Sequence, residues 1–182
     1  MVVSKKVVSA CSILLISFLS VSWADNVPVE TRIKAAFLYK FCSYIRWPSE
    51  VFANSDDPVI MLILGDDVLA AELEHIVTDR LTAGSSFSVF RSVDSVELTS
   101  VQLVYMAGVE LSNKHALISQ LALQPIVTVT EVVNQQGPGI INFIKVDNRM
   151  RFDVFQARAQ KANLSMDSQL LTVARQVIRE SP

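Results

Sequence analysis

The stretch Val59-Ile60-Met61-Leu62-Ile63-Leu64, followed by Gly65-Asp66-Asp67, decides how this chain folds. Six apolar residues in a row, with no polar alternation, predict a strand buried on both faces, as in a parallel sheet. The glycine and two acids then open a helix carrying Val68, Leu69, Leu73 and Ile76. Short acidic side chains cap helix amides and suit the positive helix end. The rhythm repeats downstream: residues 87–90 and 101–106 read as strands, 112–123 as a helix and 126–130 as a fourth strand. Such alternation predicts an α/β fold, a single compact domain with a mostly parallel sheet and flanking helices.

Upstream, Ile33, Phe37, Phe41, Tyr44 and Ile45 form one helical stripe over residues 30–47, and Pro48 ends it. Lys34 falls at the edge of that stripe. Either it snorkels along apolar surface or its ammonium pairs with a specific acid, Asp153 or Asp66. Residues 54–58 read as a turn.

Towards the other end, residues 140–146 and 149–154 flank Asp147-Asn148, a two-residue turn that predicts a C-terminal β-hairpin. The register then pairs Val146 with Arg149, Ile144 with Arg151, Phe143 with Phe152 and Asn142 with Asp153. Strand alternation places Ile141, Phe143, Met150, Phe152 and Val154 on a core face. The opposite face gathers Asn142, Ile144, Val146, Arg149, Arg151 and Asp153. Aliphatics mixed with arginine are typical of protein interfaces, and a solvated face with local salt bridges is the alternative. Two helices are expected to close the chain, at 155–162 and 166–178. The second buries Met166, Leu170, Leu171, Ala174, Val177 and Ile178, with Ser165 as its cap.

Chemistry is not indicated. Asp66 and Asp67 end a buried strand, where open α/β sheets bind ligands and where two carboxylates can hold a divalent cation. A receiver-type acidic site needs a third carboxylate after a later strand, but residues 101–106 run into Ala107-Gly108. Helix capping is the simpler role. His75 and His115 sit on different predicted helices without a neighbouring ligand. No Gly-x-Ser-x-Gly elbow, dinucleotide fingerprint or Walker loop occurs, so an exported hydrolase is disfavoured and no cofactor is expected.

The first 24 residues read as a secretory leader. Lys5 and Lys6 precede an apolar run from Val7 to Val21, and Ser22-Trp23-Ala24 supplies small residues for cleavage before Asp25. The run is short for a membrane span, and a retained anchor is the alternative. The expected mature domain is residues 25–182. Losing two lysines leaves 14 basic residues against 18 acidic ones, a net charge of −4, which argues against nucleic-acid binding. Of the two cysteines, Cys11 leaves with the leader and Cys42 cannot form an intramolecular bridge alone.

Four segments carry a family resemblance. Ile33-Lys34-Ala35-Ala36-Phe37-Leu38-Tyr39-Lys40-Phe41, closing on Arg46-Trp47-Pro48, resembles the opening of the YfiR-like family of exported bacterial proteins. Residues 63–67 and Asn148-Arg149-Met150-Arg151-Phe152-Asp153 continue it, and Ala162-Asn163-Leu164-Ser165-Met166 ends it. The resemblance implies a periplasmic α/β domain without catalytic activity, often a homodimer. It also implies binding to the periplasmic sensory domain of an inner-membrane diguanylate cyclase, which is held inactive, with lower cyclic-di-GMP signalling and less biofilm. The alternative is a periplasmic module that senses a small ligand. By motif, Lys34, Phe37, Phe41, Trp47 and Pro48 match the helix block, Gly65 and Asp66 the strand end, and Arg149, Arg151, Phe152 and Asp153 the hairpin. The expected partner-binding residues are therefore Lys34, Ile144, Arg149, Arg151 and Asp153, with Gly65 and Asp66 for a ligand. The chain departs from the family at Phe155, where a polar Asn is common. Having only Cys42, it also lacks the cysteines needed for disulfide-controlled repression.

Export predicts a processed protein whose first residue is Asp25. N-terminal sequencing of material from the cell envelope checks this, and full-length chain recovered from the cytosol would overturn it.

Overall fold

A computed structural model describes residues 27–54, 56–79, 86–108, 115–131 and 137–179; the expected leader and its cleavage site lie outside them. The chain opens with α1 (Val29–Tyr44), β1 (Ile45–Arg46), β2 (Val59–Leu64) and α2 (Asp67–Asp79). It continues through β3 (Phe87–Phe90), β4 (Leu103–Met106), α3 (His115–Leu121) and β5 (Val127–Glu131). The hairpin strands β6 (Ile141–Val146) and β7 (Arg149–Phe155) follow. Then come α4 (Gln156–Lys161), β8 (Ser165–Met166), α5 (Ser168–Val173) and β9 (Gln176–Ile178). Among the described residues, seven strands form one sheet in the order β3-β2-β4-β5-β6-β7-β9. All neighbours are parallel except β6 and β7.

Period-two alternation sorts the side chains to two cores. Met61, Ile63, Leu103, Tyr105, Val127, Val129, Phe143 and Phe152 face α1 and α2, where they meet Leu38, Phe41, Leu69 and Leu73. Leu62, Leu64, Val104 and Met106 face the other way, against Ile118 and Leu121 of α3. The apolar run in β2 is thus buried on both sides. Helix α1 is anchored by aromatic contacts: Phe41 meets Phe152 edge-on at 4.9 Å, and Phe37 meets Phe152 at 5.3 Å. Rings at these spacings add attraction beyond their buried area. Of the residues carrying the resemblance, Phe37 and Phe41 therefore serve packing. Trp47 does too: its Nε1 donates to the Gln102 carbonyl at 3.3 Å.

The segment expected as one helix over residues 166–178 is instead a strand, a short helix and another strand. Ser165 is not its cap; it lies in β8 and pairs with Arg46. Asp167 takes the capping role, accepting from the Gln169 amide at 2.8 Å. Ala174 leaves helical geometry at ψ 143°, and Val177 and Ile178 add to the sheet beside β7. Here strand pairing with an open sheet edge overrides a helical spacing of apolar residues. For the same reason α1 stops at Tyr44, since Ile45 pairs with Met166.

Cys42 is buried in α1 with its Sγ 3.9 Å from the Met61 sulfur. Burial pushes its thiol from 9.0 up to about 12. A thiolate is the reactive form, so the folded protein should resist a disulfide reagent at neutral pH and react promptly once denaturant is added. Reductant should leave its melting temperature unchanged. Fast labelling of the folded chain would place Cys42 at the surface.

Candidate functional site

The hairpin turn is built as its sequence requires. Asp147 and Asn148 adopt φ of 47° and 58°, both in the left-handed region that a two-residue turn between twisted strands needs. The register pairs Val146 with Arg149, Ile144 with Arg151, Phe143 with Phe152 and Asn142 with Asp153, as the turn dictated. Ile141, Phe143, Met150, Phe152 and Val154 are all buried.

The opposite face divides into a covered root and an open tip. At the root, Asn142 is 2 % exposed. Its Oδ1 accepts from the Gly139 amide at 3.1 Å and from the Thr130 hydroxyl, and its Nδ2 donates to the Gly139 carbonyl at 2.9 Å. The Gly137-Pro138-Gly139 segment lies so close that a Cβ on Gly137 would sit 2.1 Å from Asn142 Oδ1. Arg158 fastens this segment, donating to the carbonyls of Gly137 at 2.6 Å and Gly139 at 2.8 Å. Asp153 is also buried, gripped by two nitrogens of Arg175. At the tip, Arg149 and Arg151 are exposed and Ile144 is half-buried beside them. Of the face expected to form an interface, only the outer half is therefore open to solvent.

Lys34 is also removed from solvent, at 7 % exposure. It pairs with neither Asp153 nor Asp66. Its Nζ donates to both oxygens of Glu131, at 2.9 and 2.7 Å, and lies 3.2 Å from Glu30. Glu131 stands at the carboxyl end of β5 and also accepts from the Tyr105 hydroxyl at 2.7 Å. Glu30 reaches Lys145 of β6 at 2.8 Å, so a continuous polar chain ties α1 to β4, β5 and the hairpin. Burial pulls the Lys34 ammonium down, but Glu131 and then Glu30 outweigh it and leave the group raised. Burial, and then Glu131, push the Tyr105 hydroxyl up. Lys34 and Asp153 are thus internal fasteners, both largely removed from solvent. Glu131, Tyr105 and Arg175 were missed in the sequence. Only the position of Glu131, an acid ending the buried strand Val127–Glu131, could have signalled it.

Gly65 and Asp66 lie where the strand order reverses, at the carboxyl end of β2. Gly65 has a φ of 81°, a conformation that favours glycine. The Asp66 carboxylate accepts from the Leu69 amide at 2.9 Å and so caps α2. This oxygen already has a backbone partner, which supports capping.

A family model described as YfiR/HmsC-like matches residues 31–175, about four-fifths of the chain. Among curated proteins, none matches. The matched span runs from the first turn of α1 to Arg175, and so includes the hairpin, Lys34 with Glu131, and Asp153 with Arg175.

The Glu30 link makes a pH prediction. The hydrogen bond from Lys145 lowers the Glu30 carboxyl below its ordinary 4.5; burial opposes this and Lys34 assists it. A lowered acid stabilises the fold above its unfolded value, and that contribution is lost as pH falls through the folded value. Glu30→Gln should therefore be less stable than the parent at about pH 6, with the difference shrinking below about pH 4.5. Urea denaturation across that range checks it. A pH-independent difference would show that the charge of Glu30 is not what matters.

Proposed function

Because this chain belongs to the YfiR/HmsC-like family, we propose that it is a periplasmic, non-catalytic regulator of an inner-membrane diguanylate cyclase. In this reading it binds the cyclase's periplasmic sensory domain and holds the enzyme inactive, lowering cyclic-di-GMP without touching that nucleotide. The observation that carries the reading is the family match over residues 31–175. No helix among the described residues is long and apolar enough to cross a membrane. A regulator that binds the inactive partner more tightly than the active one shifts the population towards inactivity, which requires no chemistry of its own.

The contact surface we assign is the hairpin tip: Arg149 and Arg151, with Ile144 between the tip and the covered root. Arginine is over-represented among residues that dominate binding energy, and its planar fork suits carboxylates. Arg149 and Arg151 have no ion pair among the described residues. They are the cations of this face still free to engage a partner.

Arg151→Glu reverses a charge on an exposed strand position without opening a cavity. Binding to the cyclase's periplasmic domain should weaken by about 2 kcal/mol, roughly 30-fold. In cells lacking the wild-type gene, the variant should fail to restore low cyclic-di-GMP. Phe152→Ala is the contrasting control: it empties a core position and should cost about 3–5 kcal/mol of stability. A folded Arg151→Glu protein that binds as tightly as its parent would move the contact surface elsewhere.

A further inference from the structure

Strand β7 leaves half of its outer edge open. Strand β9 lies beside Asp153, Val154 and Phe155 only. Among the described residues, Arg149, Met150 and Arg151 have a strand neighbour only on the β6 side. Two hydrogen bonds tell which residue faces the open side. The Phe155 amide donates inward to Ile140, while the Phe152 carbonyl accepts outward from Arg175, each at 2.8 Å. Along an antiparallel pair such bonds alternate residue by residue. Arg149 and Arg151 therefore bond inward to β6, and Met150 turns its N–H and C=O to the open edge.

The surroundings of that edge are two-sided. A cavity of about 470 Å³ lies against it, lined by Val29, Ile33 and Met150, by the Glu30–Lys145 ion pair, and by Arg149 and Arg151. Val29 and Ile33 are 67 % and 38 % exposed, apolar side chains of α1 that the core does not use. The two arginines point from the other face of the strand and have no acidic partner among the described residues. Backbone groups without a partner strand, an apolar shelf on one face and cations on the other together specify an extended ligand.

We propose that this edge accepts a short strand from a protein partner in which acidic residues alternate with aliphatic ones. The partner's main chain completes the hydrogen bonds of Met150. Its acids pair with Arg149 and Arg151 on one face, and its aliphatic side chains rest against Val29 and Ile33 on the other. The inference deepens the regulatory reading above, and rests on it for the claim that a protein is bound here. A second copy of this chain is a poor occupant. Twofold pairing about Met150 would set Arg149 opposite Arg151, and like charges across a strand pair are unfavourable.

The test uses the processed full-length protein and two blocked peptides of about eight residues with the same composition. One alternates Glu with Val; the other places all its Val before all its Glu. The alternating peptide should bind at least about tenfold more tightly. On binding, amide exchange should slow at Met150 and stay unchanged at Arg149 and Arg151, which already bond to β6. Arg149→Glu combined with Arg151→Glu should abolish the preference without altering the melting temperature. Met150→Pro, which deletes the outward N–H, should also abolish it, and if that variant fails to fold the arginine reversal still decides. Equal binding of the two peptides, or unchanged exchange at Met150, would overturn the inference. The cyclase's periplasmic domain is then tested by the same exchange readout. If that domain binds while Met150 exchanges as in the free protein, the edge inference fails and the regulatory reading stands. If the alternating peptide protects Met150 but the domain does not bind at all, the edge inference stands and the regulatory reading fails.

Discussion

The Lys34 ammonium, enclosed between the end of β5 and the start of α1, constrains the whole arrangement of helix on sheet. Removing a charge from water costs several kcal/mol unless it is paired and hydrogen-bonded at good geometry. Lys34 meets that demand with three carboxylate oxygens within 3.2 Å, two from Glu131 and one from Glu30. If α1 slid along the sheet by one turn, the ammonium would lose Glu131 and remain buried. The helix is therefore held at one longitudinal position. At that position Phe37 and Phe41 lie over Phe143 and Phe152. The aromatic contacts supply cohesion, and the ion pair supplies register.

That division of labour explains how the hairpin can be both fixed and available. Its core face is committed to α1, and the root of its other face is committed to Gly139 and Arg175. What remains free is a short length of strand held rigidly from below. Little ordering entropy then has to be lost on binding, which favours affinity from a small contact. A surface of the same composition on a loose loop would forfeit that advantage.

Much of this architecture was legible in local sequence. The run Val59–Leu64 and the turn Asp147-Asn148 each have a strong local cause, total apolarity in one case and left-handed turn residues in the other, and tertiary context had nothing to override. Residues 166–178 were not legible, because Leu170, Ala174 and Val177 suit a helix by spacing and a sheet edge by composition. Only the presence of an unfilled edge on β7 selects between them. The partners of Lys34 and Asp153 were hidden for a related reason. Glu131 is 97 residues from Lys34, and no periodicity carries across such a separation. Alternation alone placed Arg149 and Arg151 on the face opposite the core, where they are exposed. The same alternation could not show that Asp153 is covered by Arg175, since it assigns a face but not what covers that face.

Strand β9 reaches β7 only after α4, β8 and α5 have looped back over the sheet, because parallel neighbours cannot be joined by a tight turn. The Asp153–Arg175 contact spans 22 residues, and the Lys34–Glu131 contact spans far more. Loop-closure entropy must be met before such distant contacts reward it, which slows their formation relative to local contacts. During that interval the whole outer edge of β7, and not merely its first residues, is open to pairing with any extended chain nearby. Exposed strand edges of this kind are where folding intermediates self-associate. The positive charges of Arg149 and Arg151 repel an identical edge at just that stage. The residues assigned here to recognition in the finished molecule would thus also guard it against its own copies while it is being made.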